Sequence, residues 1–185
     1  MQRAILTIGP QCAGKSTFCE KVVEKYPNVV MVSRDAILRR LFGSVWRSPY
    51  SNDFFVAWQE LWKEAAEYLK KPDTTLIVDG YNPSLSKRRE IVAKLRELGA
   101  QRVYGWHFVT PVDQCLAWSF VRNPVKNPKG HWAKIVIETR EDNYRSYWKS
   151  FHAEPLGARL FTRVRRINVL KQMPADILDF SSKNS

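Results

Sequence analysis

Gly9-Pro10-Gln11-Cys12-Ala13-Gly14-Lys15-Ser16-Thr17 decides how this chain folds, because it matches GxxxxGK[ST] at every constrained position. Each part has a physical reason. Gly9 and Gly14 permit the turns that aim successive backbone N–H groups inward at an anion. A helix opening at Lys15 adds its N-terminal amides and dipole at the same point. The Lys15 ammonium can reach the outer phosphates of a nucleoside triphosphate, and the Ser16 hydroxyl can ligate Mg²⁺. The apolar run AILTIG (4–9) precedes the loop, and helix-period residues follow it to about Lys25, which is the context the motif requires. With glycine near 7% of residues, a chance match in such a chain has odds below about one in a hundred. The stretch therefore predicts an ATP and Mg²⁺ site built from Gly9, Gln11, Cys12, Ala13, Gly14, Lys15, Ser16 and Thr17. Cys12 reads as nothing more than a small loop residue.

Outward from that loop, strands and helices alternate. VVMVS (29–33) is a β-branched run followed by the helix-like DAILRRLF. Residues 52–71 carry Phe55, Trp58, Trp62, Ala65, Ala66 and Leu69 at helical spacing. TLIVDG (75–80) is a third strand, and Ser84 to Leu98 is a periodic helix stopped by Gly99. RVYGWHFV (102–109) is a fourth strand, leading into a helix from Pro111 to about Arg122. VRNPVKNPKGH, broken by Pro124, Pro128 and Gly130, is a loop before a long helix from about Trp132 to Phe151. VRRINVL (164–170) is a fifth strand. Such alternation predicts an α/β fold, a mainly parallel sheet of about five strands covered on both faces. Ligands of these sheets bind beyond the carboxyl ends of the strands.

Composition narrows the class. At 185 residues the chain has the size of one domain, 44% hydrophobic and 26% charged. One catalytic domain is expected over residues 1–170, then a polar tail over 171–185. No apolar run approaches the roughly 18 residues needed to span a bilayer. A strand starts almost at the N-terminus, unlike a signal peptide. Cys12, Cys19 and Cys115 lack metal-ligand spacing, which fits a reducing, cytoplasmic setting. Thirty Lys and Arg against eighteen acids leave +12, and residues 119–166 alone hold eleven against four. That excess favours polyanionic partners such as nucleic acid, although an ATP site uses part of it.

Three further features supply chemistry. Asp35 follows the second strand, where a carboxylate could accept a proton from an attacking hydroxyl. Equally, Ser33 or Asp35 could cap the next helix. Asp79 ends the third strand as an acid that holds Mg²⁺ or orients an acceptor, or it starts the turn Asp79-Gly80-Tyr81-Asn82-Pro83. Glycine at position 80, in place of glutamate, argues against a water-activating ATPase. Arg122, Lys126 and Lys129 flank the proline-broken loop as a cationic lid over the transferring phosphate.

ILTIGPQCAGKST, VSRDAI, VDGYN and VRN, in this order, resemble the kinase domain of phage-type 5′-hydroxyl polynucleotide kinases over roughly residues 1–170. The resemblance implies a P-loop NTPase fold of the adenylate-kinase-like kind, a three-layer sandwich with a helical lid. It implies Asp35 as general base, Lys15 and Ser16 serving ATP, and Arg122 and Lys126 stabilising the phosphate in flight. Arg34, Arg39, Asp79 and Asn82 become candidates for holding the acceptor, and Ser16 and Asp79 for the metal. The chain departs from the family at Leu38, where the family has an arginine that contacts acceptor phosphate. Arg39 shares a helix face with Asp35 and is the expected replacement. Lys126 stands where the family has a second lid arginine. DxDGT, the motif of a fused phosphatase, is missing from this sequence, so phosphorylation alone is expected.

Phe55, Trp58 and Trp62 fall at core spacing, whereas Trp46 and Tyr50 lie beside Arg47 in a loop suited either to stacking bases or to plain packing. His107, His131 and His152 show no ligand spacing. The expected activity is transfer of the ATP γ-phosphate to the 5′-hydroxyl end of DNA or RNA, in the setting of nucleic acid repair. The alternatives are a kinase for a small or nucleotide-sugar acceptor, zeta-toxin-like or gluconate-kinase-like, and a nucleotide-binding switch without transfer. Leu38 favours the small acceptor, and the basic segment with its aromatics favours the polynucleotide.

Overall fold

Apolar runs and helix-period runs take up their elements within a few residues of where their spacing predicts. The computed structural model describes residues 1–45, 51–80, 82–122 and 131–173, with the backbone course alone for 131–136. Expectations attached to Trp46, Arg47, Tyr50, Tyr81, Lys126, Lys129 and the tail beyond Met173 lie outside the described residues. In chain order the elements are β1 (Arg3–Ile8), α1 (Lys15–Lys25), β2 (Val29–Ser33), α2 (Arg34–Phe42), α3 (Asn52–Leu69), β3 (Thr75–Asp79) and α4 (Leu85–Glu97). After them come β4 (Arg102–Phe108), α5 (Val112–Arg122), α6 (His131–Ala153) and β5 (Arg163–Ile167). No helix among the described residues is long and apolar enough to cross a membrane.

The sheet runs β2-β3-β1-β4-β5 and every pairing is parallel. All five carboxyl ends therefore share one edge, and β1 delivers the glycine-rich loop to the middle of it. Period-two alternation sends β1 side chains into two cores. Ala4, Leu6 and Ile8 join α2, α3 and α4 on one face, while Ile5 joins α1, α5 and β4 aromatics on the other. Helices on both faces make the three-layer sandwich. β5 is a basic edge strand, Arg-Val-Arg-Arg-Ile, and charge on such an edge discourages further pairing. It is shorter than the expected 164–170, because Asn168 turns the chain by accepting the Leu170 amide at 3.1 Å.

Helix α3 corrects one expectation. Phe55, read as core, is 61% exposed. The buried stripe is Ala57, Leu61, Ala65 and Leu69, whose small alanines let the helix approach the sheet. Trp58 and Trp62 lie half-buried beside that stripe, stacked at 5.5 Å between centroids. Bulk was a poor guide to burial here, because an alanine stripe packs closer than an aromatic one.

Candidate active site

Gly14 has φ +80, and a Cβ there would meet Val169 at 3.2 Å and Trp118 at 3.3 Å. At Gly9 a Cβ would lie 2.9 Å from the Phe108 Cβ. The two glycines of the motif are thus demanded by conformation and by close packing against β4 and the segment after β5. Cys12 also adopts a left-handed backbone, φ 58, which costs a residue with a Cβ on the order of 1–2 kcal/mol. Strain of this size persists where surrounding contacts overdetermine the loop. The Thr110 hydroxyl donates to Ala13 O at 2.8 Å from the end of β4. From α6, the Tyr144 hydroxyl donates to Gln11 O, and Gln11 N–H donates to Tyr147 Oη at 2.9 Å.

Lys15 is buried and donates to the Gly9 and Pro10 carbonyls at 3.0 and 2.7 Å. Burial pushes its ammonium below the ordinary lysine value, and the nearby Asp79 charge opposes that shift. The Ser16 hydroxyl donates to Asp79 Oδ2 at 2.7 Å, joining the helix start to the end of β3. Asp79 Oδ1 lies 3.1 Å from the buried Thr7 hydroxyl, which also accepts the Gly80 amide. The two expected metal ligands, Ser16 and Asp79, therefore stand side by side as hard oxygen donors. Two protein oxygens completed by phosphate and water suit Mg²⁺, which dehydrates reluctantly.

The next strand end carries Asp35. Ser33 pairs with Asp79 in the β2–β3 register, so Asp35, the second residue of α2, stands on the same edge of the sheet as the loop. Ser33 is the residue that caps α2, accepting the Ala36 amide at 3.5 Å. The cap expected from Ser33 or Asp35 thus falls to Ser33, and the Asp35 carboxylate is left out of it. Its Oδ1 accepts from Arg34 at 2.7 and 3.1 Å, while Oδ2 has no hydrogen bond among the described residues. Arg34 in turn lies over the Phe54 ring at 4.6 Å.

Other expected site residues are placed less centrally. Asn82 is 2% exposed and its amide donates to Thr7 O at 2.8 Å, so it braces the turn where an acceptor contact was expected. Arg39 is exposed one turn beyond Asp35 and has no ion pair among the described residues. Arg122 ends α5, exposed, and no contact among the described residues joins it to Lys15, Ser16 or Asp79. Lys126 lies outside the described residues. Leu38 is 1% exposed and packs in the core.

Sequence reasoning missed Thr7, Thr110, Tyr144 and Tyr147. Thr7 sits in an apolar strand and has no marker. The tyrosines touch Gln11 across more than a hundred residues of chain, which no local pattern records.

The family model described as an AAA domain matches residues 5–144. Among solved structures, a chain of the Pnkp1/Rnl/Hen1 RNA repair complex is 22% identical, with a TM-score of 0.58 over 79% of this chain and 46% of that one. A putative kinase from Chloroflexus aurantiacus J-10-fl is 15% identical, with a TM-score of 0.65 over 95% and 94% of the two chains. A gluconokinase from Sinorhizobium meliloti 1021 is 17% identical, with a TM-score of 0.51 over 94% and 86%. These likenesses establish a P-loop kinase fold. The chain spans less than half the length of the repair-complex chain it matches. No curated protein matches it in sequence.

Proposed function

The chain belongs to the AAA domain family, and from that premise we propose that it is an ATP-dependent kinase acting on the 5′-hydroxyl end of DNA or RNA. The observation that carries the reading is Asp35. It stands on the edge that holds Lys15, Ser16 and Asp79, relieved of capping by Ser33 and with Oδ2 open to accept a proton. A protein that only binds nucleotide has no use for such a carboxylate.

In this reading the loop amides, Lys15 and the α1 N-terminus bind the triphosphate. Ser16 and Asp79 would hold Mg²⁺, which supplies charge neutralisation on the phosphates when bound. The acceptor hydroxyl oxygen forms a bond to the γ-phosphorus as the bond to the β,γ-bridging oxygen breaks. Asp35 takes the hydroxyl proton, and ADP leaves with the electron pair of the broken bond. Arg122 and Lys126 would bring cations to the phosphoryl group.

The basic balance of +12 supports a polyanionic acceptor. So does the fold likeness to a chain of an RNA repair complex. One observation favours a second reading, a kinase for a small acceptor. Leu38 is buried where the resembled polynucleotide kinases have their acceptor-phosphate arginine.

Incubation with γ-labelled ATP, Mg²⁺ and 5′-hydroxyl oligonucleotides decides between them. Labelled oligonucleotide is expected from the unaltered protein and none from Lys15→Ala or Asp35→Ala. Asp35→Ala should still bind ATP. Label appearing only in small hydroxyl compounds would overturn the polynucleotide reading.

A further inference from the structure

Next to Asp35 the structure holds a group of side chains that the nucleotide site does not use. Arg34, which pairs with Asp35, projects over Phe54 at 4.6 Å and lies 5.9 Å from the Trp58 ring centroid. Lys87, in the first turn of α4, brings its ammonium to 4.5 Å from the same Trp58 ring. The two cations therefore sit on one indole, within about 10 Å of each other. They come from different strand ends, α2 after β2 and α4 after β3. Trp62, stacked on Trp58 at an interplanar angle of 24°, backs the shelf. Both Phe54 and Trp58 pack on the core, so the shelf is anchored.

We propose that Arg34 and Lys87, seated on the Phe54–Trp58 shelf beside Asp35, bind the acceptor phosphodiester nearest the reacting hydroxyl. This rests on the polynucleotide reading above and specifies how that acceptor is held. The shelf acts on the cations. Cation–π contact restricts two long, entropy-rich side chains before any ligand arrives, so less freedom is lost on binding. Phe54 and Trp58 are thus positioning residues, and Arg34 and Lys87 are the ligands.

The ion pairs already present do not block the role. Lys87 also meets Glu90 at 2.8 Å, but Glu90 is 64% exposed and such a pair is weak and easily exchanged. Arg34 engages only one oxygen of Asp35. A phosphate beside Arg34 would share its donor fork and leave Oδ2 for the hydroxyl proton. A neutral sugar acceptor has no group that needs two cations at this rim. A chain with a phosphodiester does.

The test uses Lys87→Gln, with Lys87→Arg as the charge-preserving control, and two acceptors: a 5′-hydroxyl oligonucleotide and a nucleoside without phosphate. Removing one phosphate contact should raise the oligonucleotide KM about three- to tenfold and lower the slope of log KM against log salt by about 0.7. The KM for ATP and any rate with the bare nucleoside should not change. Lys87→Arg should restore the slope. Trp58→Leu, which keeps both charges, should raise oligonucleotide KM more than it lowers kcat. If the unaltered protein labels oligonucleotide but Lys87→Gln leaves its KM and salt slope alone, this proposal fails by itself. If the unaltered protein labels no oligonucleotide, the polynucleotide reading and the proposal fail together.

Discussion

Replacing Arg88 by methionine tests how the acid side of the site is held in place. Arg88 is 1% exposed although it carries a full charge. Among the described residues its guanidinium makes no carboxylate pair and instead donates to backbone carbonyls. Nε meets Asn82 O at 2.9 Å, one terminal nitrogen meets Pro155 O at 2.6 Å and Leu156 O at 3.2 Å, and the other meets Pro83 O at 2.5 Å. The fork thus ties the turn that follows Asp79 to the segment that follows α6. Burial pushes its basicity down, and the nearby Glu154 charge opposes that.

Methionine would fill much of the volume but donate to none of these oxygens. Bonds from a charged donor contribute about 1.5–3 kcal/mol each, and a carbonyl left buried and unpaired costs about 1–3 kcal/mol. The four do not add, because the carbonyls near the surface can rehydrate once the fork is gone. We expect a loss of about 3–4 kcal/mol, the scale set by the fully buried Asn82 carbonyl plus one lost charged bond. Against a total of about 5–15 kcal/mol this is a large fraction. With a urea slope near about 2 kcal/mol per molar, the midpoint should fall by about 1.5–2 M. Lysine at the same position keeps the charge and part of the bonding, so it should lose about half as much. Equilibrium urea melts followed by the fluorescence of the seven tryptophans report both values. A methionine variant within about 1 kcal/mol of the parent would refute the reasoning, because the carbonyls would then be satisfied without the fork.

Gly14→Ala should cost about 1–2 kcal/mol from its left-handed backbone, plus the push against Val169 and Trp118, and should weaken ATP binding measured by equilibrium dialysis. Parental affinity would show that the loop tolerates another conformation. Tyr147→Phe and Tyr144→Phe should each cost about 0.5–1.5 kcal/mol in thermal or urea melts and raise the KM for ATP, with a double-mutant cycle showing coupling through Gln11. Strict additivity would sever that link. Burial holds the His107 imidazole down at about 4, helped by His152 on α6, Arg166 on β5 and Arg88 on α4. Its folded value lies below the unfolded value near about 6.5, so its share of stability is complete above that pH and is lost as pH falls towards 4. His107→Gln should flatten that limb of the stability curve, and an identical limb in the variant would contradict it.

What the sequence disclosed follows from how local each requirement is. Gly14 is legible because one backbone conformation dictates one residue type, and Ser16 and Asp79 are legible because one closes the phosphate-binding motif and the other ends an apolar strand. β1 and β3 are legible because strands buried on both faces read as continuous apolar runs. Arg88 was readable in principle. It stands three and seven residues before Ile91 and Leu95, both buried, but its charge suggested a solvated face. The tyrosines on α6 were not readable at all, since their partner is a backbone group that any residue at position 11 would supply.

Leu38 joins these threads. Helix α2 buries Ile37 and Leu38 together against the sheet. A guanidinium at position 38 would enter that core without a partner, at a cost of several kcal/mol on the order expected for an unpaired buried charge. The packing of this chain therefore excludes an acceptor-binding arginine where the polynucleotide kinases it resembles have one. Arg39, the expected replacement, points to solvent one residue further on. Arg34 lies one helical turn earlier, already oriented by Phe54 and Asp35, and Lys87 shares its aromatic support. Core packing and acceptor charge are then compatible, because the cations are carried at the rim by aromatics and not by the buried face of α2.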